Sequence, residues 1–267
     1  MIMEPGTETS EQYHRSGAWG STLINAFKSS PRLANAMRKG EYKKPETAAF
    51  RFGRLFHDLI DPGSGFDKKN KIGPGSDRRT KAWREAEANS DANLIPVDDW
   101  DQLHRMAESV RANPFAACLL ESAEHEVGFR MEADYGPYKI QCRADILHRW
   151  SHIADLKTTA DIDDFARSIS NYGYHRQAAL YRHIIYRECK KTLPFSFIAV
   201  ETIEPFYRCR VIDLSPEYLS IGWEEVEQAL KDIGDRTRRD QWNDGGDAIQ
   251  VDPPGWLVNQ HSQWRAA

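Results

Sequence analysis

Between Thr47 and Ile60 the apolar residues Phe50, Phe52, Leu55, Phe56 and Leu59 recur at helical spacing, and Asp61-Pro62-Gly63 ends the run. Before it, Ser21 is a candidate N-cap of a helix reaching Phe27, and Ser30-Pro31 opens another. Trp83–Ala88 and Asp98–Asn113 also read as helical, and Pro114 opens a short helix to Leu120. The period then changes to two. Val127, Phe129 and Met131 alternate with polar neighbours across Glu126–Glu132. Tyr138, Ile140, Cys142, Ala144 and Ile146 share one face of a second strand, with Lys139, Gln141, Arg143 and Asp145 on the other. His152–Lys157 is a third strand, and the three predict an antiparallel meander. Asp161–Ser170 and Tyr174–Lys190 return to helix. Phe195–Glu201 and Tyr207–Leu214 are strands, and Ser215-Pro216 starts a last helix to Ile233. The order predicts one α/β domain over 19–235 with a helical N-terminal part, a flexible tail over 1–18 and a C-terminal tail over 236–267 that packs on or extends from the domain.

Composition narrows the function classes. The chain has 267 residues, 40% hydrophobic and 11% aromatic, with eight Trp. That is enough apolar surface for a sizeable core, and it excludes disorder over the whole length. No run of about 18 apolar residues occurs, so no membrane helix is expected. Met1–Ser16 is polar and is expected to be neither a secretory signal nor a transit peptide. Cys118, Cys142, Cys189 and Cys209 are scattered, with no CxxC pair. Neither zinc nor an iron–sulfur cluster is expected, and a reducing cytoplasm suits the pattern.

The net charge of -4 carries no global nucleic-acid signal, but the basic residues cluster. Lys68, Lys69, Lys71, Arg78, Arg79, Lys81 and Arg84 lie in one stretch punctuated by Gly73, Pro74 and Gly75. It reads either as a mobile basic loop for phosphates or as solvated surface.

Chemistry concentrates around Asp145, nine residues, then Asp155-Leu156-Lys157. Asp155 and Lys157 are two apart on a strand and share a face. A hairpin centred on Trp150 sets Asp145 directly opposite Asp155, where Cβ atoms are roughly 4.5–5.5 Å apart. Two carboxylates that close repel unless a cation lies between them. Glu126 on the preceding strand is a candidate third carboxylate, with Glu124 competing at the same parity. His57 lies on an otherwise apolar helix, as a ligand or as a core histidine, with Gly53 one turn earlier. Tyr174, Gln177 and Tyr181 form one helical stripe, polar at its tips, that either packs or reaches phosphate or the lysine.

Taken together, Asp145, Asp155-Leu156-Lys157-Thr158-Thr159 and the Tyr174-His175-x-Gln177-x-x-x-Tyr181 helix resemble the RecE-type (exonuclease VIII) branch of the PD-(D/E)XK nucleases. Gly53-x-x-x-His57-x-Leu59, Glu126, Ser21-x-Leu23 and Ser30-Pro31 extend the resemblance, which runs from about residue 19 to 215. It implies a restriction-endonuclease-like α/β core, a central mixed sheet flanked by helices. It further implies a Mg²⁺-dependent 5′→3′ exonuclease on double-stranded DNA, with Mn²⁺ able to substitute. Such an enzyme leaves 3′ overhangs for recombination with a single-strand annealing partner. His57, Asp145, Asp155 and the Leu156 carbonyl would hold one or two ions, Glu126 the second. Lys157 would orient water or neutralise charge, and Gln177 and Tyr181 would position Lys157 or the phosphate. Ser21, Arg78, Arg79, Lys81 and Trp83 are candidates for DNA contact. A homo-oligomeric ring around DNA ends, a phage or prophage origin in a bacterial cytosol and no membrane partner complete the expectation. The long N-terminal extension of some members is not in this sequence, so a stand-alone nuclease is expected. Two alternatives stand beside it: a structure-specific endonuclease or RecB-like single-strand nuclease on the same core, and a non-catalytic DNA-binding protein.

Overall fold

The computed structural model describes residues 2–3, 8–246 and 250–265. Four helices lead: α1 (Ser10–Arg15), α2 (Ser21–Ser29), α3 (Pro31–Arg38) and α4 (Ala48–Ile60). A strand β1 (Ile2–Met3) precedes them. A small unit follows, comprising α5 (Phe66–Lys69), β2 (Asn70–Ile72), α6 (Lys81–Ala88) and β3 (Asn93–Ile95), with β2 and β3 paired in parallel. Then come α7 (Val97–Ala112), α8 (Pro114–Leu120), β4 (Ala123–Glu132), β5 (Lys139–His148), β6 (His152–Thr159), α9 (Phe165–Tyr172), α10 (Tyr174–Cys189), β7 (Phe195–Glu201), β8 (Cys209–Asp213), α11 (Pro216–Arg239) and α12 (Gly255–Arg265). Local chemistry sets several starts. Ser30, Thr47 and Ser215 each accept a backbone N–H three residues on, and Pro31, Pro114 and Pro216 fill first turns that need no N–H.

The central sheet runs β1-β4-β5-β6-β7-β8, five long strands with the two-residue β1 on the edge. It is mixed. Turns join β4, β5 and β6 into the expected antiparallel meander, whereas α9 and α10 carry the chain back so that β7 lies parallel to β6. Every residue of β7 is buried, as a strand covered on both faces must be. One core lies between the sheet and α2, α9, α10 and α11, and includes Phe197, Leu180, Ile184, Ile24 and Val226. The other lies beneath α4, α7 and α8, and includes Phe56, Leu103, Met106, Leu156 and Ile198. Among the described residues, no helix is long and apolar enough to cross a membrane.

Four expectations change. Of the expected flexible tail, Ser10–Arg15 is a helix closed by a Thr9–Gln12 capping box, and Tyr13 is buried. Ser21 is not a cap: Gly20 takes that position without a side-chain bond, and Ser21 begins the helix. The basic stretch is not one loop but the β2–β3 unit, in which Trp83 is 1% exposed and packs on Gly73, where an added Cβ would lie 2.2 Å from the indole. Trp83 is therefore a core residue and offers no face to DNA. Ile146 leaves the face of Ala144 and enters the opposite core. At the other end, Trp242 stacks on Trp19, and Asp244 accepts bonds from Ser30 Oγ and Arg32 N, so the chain beyond α11 folds back over α2 and α3.

Candidate active site

Two interruptions in the sheet build the site. The β5–β6 ladder runs His148↔His152, Leu147↔Ile153, Ile146↔Ala154 and stops. The next residues in that register are Asp145 and Asp155. The freed Leu156 N–H is taken by Asp145 Oδ2 at 2.9 Å, so the carboxylate itself closes the gap between the parting strands. The second interruption is at Glu126, which faces Asp145 between the pairs His125↔Ile146 and Val127↔Ala144. Neither strand carries an extra residue, yet Glu126 has a φ of 54°. That left-handed conformation costs a non-glycine residue about 1 kcal/mol. It accompanies the loss of alternation that sends Ala144 and Ile146 into different cores.

On this seam the two layers meet. From α4, His57 Nδ1 approaches Asp145 Oδ2 at 3.4 Å. His57, Glu126 and Asp145 each offer one ligand atom, all within 4.8 Å of one another. Asp155 and Lys157 point to the α10 side. Asp155 is 1% exposed and contacts the Lys157 ammonium through Oδ2, while Gln177 Nε2 donates to Oδ1 at 2.7 Å. Lys157 Nζ also lies 4.8 Å from the Tyr174 ring centre and 5.9 Å from that of Phe197. Tyr174 thus takes the place expected of Tyr181, which is buried edge-on to Phe195. Gln177 holds Asp155 and not the lysine.

Burial governs the charges. Desolvation, reinforced by Asp145 and opposed by Lys157, pushes the Asp155 carboxyl up to about 6. Lys157 loses hydration too, but Asp155 and Asp145 hold its ammonium above the usual lysine value, so it stays charged. Glu126 is pushed up to about 7 by burial and by Asp145, against the pull of Arg143, whose Nε lies 2.7 Å from Glu126 Oε2. Acids crowd this side: burial also raises Asp58, and Asp61 Oδ1 lies 4.0 Å from His125 Nδ1. A site that resists its own negative charge is suited to a divalent cation. One imidazole nitrogen with carboxylate oxygens fits Mg²⁺ or Mn²⁺ better than a thiolate-seeking metal.

The raised Glu126 value has a measurable sign. A carboxyl with a usual value of 4.5 that holds its proton to about 7 when folded makes the folded chain bind more protons in that window. Its contribution to stability falls as pH rises through it. In chelator, the melting temperature of Glu126→Gln relative to wild type is expected to climb between about pH 5 and pH 8. A difference that does not change with pH would contradict this.

The residues singled out in the sequence for DNA contact do not share one environment. Arg79 pairs with Asp77 at 3.0 Å, Lys81 with Glu85 at 3.5 Å, and Arg78 lies over the buried Trp83 ring. The sequence reading placed Tyr174 in the stripe without a role of its own and gave none to Arg143. Arg143 shares the parity of Asp145, which was the available signal.

Comparison with known proteins adds a family. The model of the PDDEXK-like domain of unknown function (DUF3799) matches residues 20–251. Among solved structures, the chain is similar to the crystal structure of a "putative exonuclease" from Eubacterium rectale. The TM-score is 0.67 at 17% identity, over 94% of this chain and 97% of that one. No curated protein matches the sequence.

Proposed function

Because the chain belongs to the PDDEXK-like DUF3799 family, we propose that it is a divalent-metal-dependent nuclease, acting as a 5′→3′ exonuclease on double-stranded DNA. The observation that carries the reading is the convergence of His57, Glu126 and Asp145 within 4.8 Å beside the buried Asp155–Lys157 pair. The solved exonuclease-named neighbour supports the class. In this reading His57, Asp145, Asp155 and the Leu156 carbonyl hold Mg²⁺, and Glu126 joins them or holds a second ion. The ion, when bound, supplies Lewis acidity toward phosphate and water. Lys157, kept charged by Asp155, places a cation where negative charge grows on the phosphate. Gln177 fixes Asp155, and the Tyr174 ring confines the ammonium. Tyr181 supports α10 from within the core. The 3′ overhangs so produced suit a single-strand annealing partner.

Exposed basic residues of the β2–β3 unit supply phosphate contacts, with Ser21 at the start of α2 as a candidate for a terminal phosphate. A chain of net charge -4 holds DNA only where such groups converge, which an oligomeric ring would achieve. The deciding experiment incubates linear and closed-circular duplexes with the protein in Mg²⁺ and in EDTA. Mg²⁺-dependent loss of linear duplex alone is expected. Nicked circles would favour the structure-specific endonuclease, and inertness a DNA-binding protein. The salt dependence provides a second check. Replacing Arg78, Arg79 and Lys81 together by Ala is expected to flatten the slope of log affinity against log salt by up to about 3, close to one unit per lost phosphate contact. An unchanged slope would remove the β2–β3 unit from the DNA interface.

A further inference from the structure

The outer ends of β4 and β5 carry a chain of polar contacts that begins in the N-terminal segment and ends at Glu126. Arg130 Nη2 donates to both Glu8 carboxylate oxygens at 3.0 Å, and its Nε donates to Gln141 Oε1 at 3.0 Å. Ser16 Oγ donates to the same Gln141 oxygen at 2.9 Å, and Gln141 Nε2 donates to the Tyr13 carbonyl at 3.1 Å. Gln141 is 3% exposed, so these bonds are sheltered from water. The backbone adds Trp19 N to Lys139 O at 2.8 Å and Gln141 N to Trp19 O at 3.1 Å. Residues 8–19 are therefore tied to the sheet at several points.

Two residues further along β5 and nearer the site, the Arg143 guanidinium lies over the Tyr13 ring, 4.7 Å from its centre. Its cross-strand neighbour is Gly128, which has no side chain. The guanidinium reaches diagonally past Gly128 to Glu126 Oε2 at 2.7 Å. Glu126 is the residue with left-handed backbone, and its carboxylate is one of the three ligand groups. Gln141 and Arg143 sit at alternate positions of β5, and Asp145 follows where the alternation breaks, so the anchor, the clamp and the ligand succeed one another along one strand.

We propose that the N-terminal segment is a working part of the metal site: Tyr13 stacks Arg143, and Arg143 is a positioning residue that aims the Glu126 carboxylate at the ion shared with His57 and Asp145. The inference rests on the metal-site reading. A planar guanidinium fixes both its own stacking and the direction of the carboxylate it grips, and an ammonium of the same charge does neither. Hydrogen-bond partners that orient ligating carboxylates contribute about ten- to a hundredfold in metal affinity.

The test is Mn²⁺ titration of the full chain, followed calorimetrically and by Mn²⁺ electron paramagnetic resonance, with thermal melts in chelator alongside. Arg143→Lys retains the charge and loses the fork, and is expected to weaken Mn²⁺ binding about ten- to a hundredfold. Tyr13→Leu is expected to weaken it similarly, and Tyr13→Phe, which restores the ring, to recover it. Glu126→Gln and Asp145→Asn calibrate the site. If both weaken Mn²⁺ binding while Arg143→Lys binds as wild type, the positioning role is overturned and the metal site stands. If neither weakens it, the metal reading falls and takes the inference with it. Should Tyr13→Leu not fold, Arg143→Lys decides alone.

Discussion

Lys157→Ala and Asp155→Asn are each expected to lower duplex-DNA hydrolysis by more than about 10²-fold, which corresponds to about 3 kcal/mol or more of lost transition-state stabilisation. The two losses differ in kind. Lys157→Ala leaves Asp155, 1% exposed, without its cation. Breaking a buried pair from one side typically costs about 3–5 kcal/mol. The melting temperature of this variant should therefore fall in chelator, and Mg²⁺ should recover part of the loss because the abandoned carboxylate gains a partner. Asp155→Asn keeps the shape and an acceptor for Gln177 Nε2, but it removes a candidate ligand, so Mg²⁺ should stabilise it less than wild type. Single-turnover hydrolysis and melts with and without Mg²⁺ separate these outcomes. Wild-type turnover by folded Lys157→Ala would remove the lysine from the chemistry.

Gly222→Ala is expected to destabilise the fold by about 1–3 kcal/mol, the usual cost of overpacking, and to disturb the site from a distance. Gly222 is buried in α11 against α10, and a Cβ there would lie 2.4 Å from the His175 carbonyl oxygen and 2.8 Å from its carbon. Backbone cannot swing aside as a side chain does, so the helices must part. Because α10 also carries Tyr174 and Gln177, the shift loosens the hold on Lys157 and Asp155. A drop of several degrees in melting temperature is expected. Gly75→Ala, where a Cβ meets nothing within 4 Å, should leave it unchanged. Equal melting temperatures for both variants would show that the α10–α11 contact has slack.

Much of the fold was legible because its elements have strong periods. The apolar spacing of Thr47–Ile60 and the Ser and Pro starts of α3 and α11 are local signals, and the structure places helices there. Symmetry about Trp150 gave the hairpin register, since a tight turn fixes which residues face each other. The same reasoning misplaced Ile146. Strict alternation assumes a regular strand, and the left-handed Glu126 opposite Asp145 breaks it. Tyr174, Gln177 and Tyr181 were seen as one stripe, but the depth at which α10 packs decides that Gln177 meets Asp155, that Tyr174 covers Lys157 and that Tyr181 is buried against Phe195. Trp83 read as a surface aromatic among basic residues because nothing local reveals that Gly73 makes room for its ring.

By itself the sequence determined the order of helices and strands from α7 to α11 and of α2 to α4, the sharing of a face by Asp155 and Lys157, and the presence of Asp145 across the hairpin. These follow from bond geometry and side-chain periodicity over a few residues. Tertiary structure alone decided that β7 lies parallel to β6, that His57 reaches Asp145 at 3.4 Å from another layer, and that Tyr13 stands over Arg143 beside Glu126. Those contacts join residues far apart in the chain, and which of them form depends on how two cores close on opposite sides of one sheet. The physical reason is that local torsional preferences act over one or two turns, whereas the position of a carboxylate between α4 and α10 is set by the packing of both layers at once.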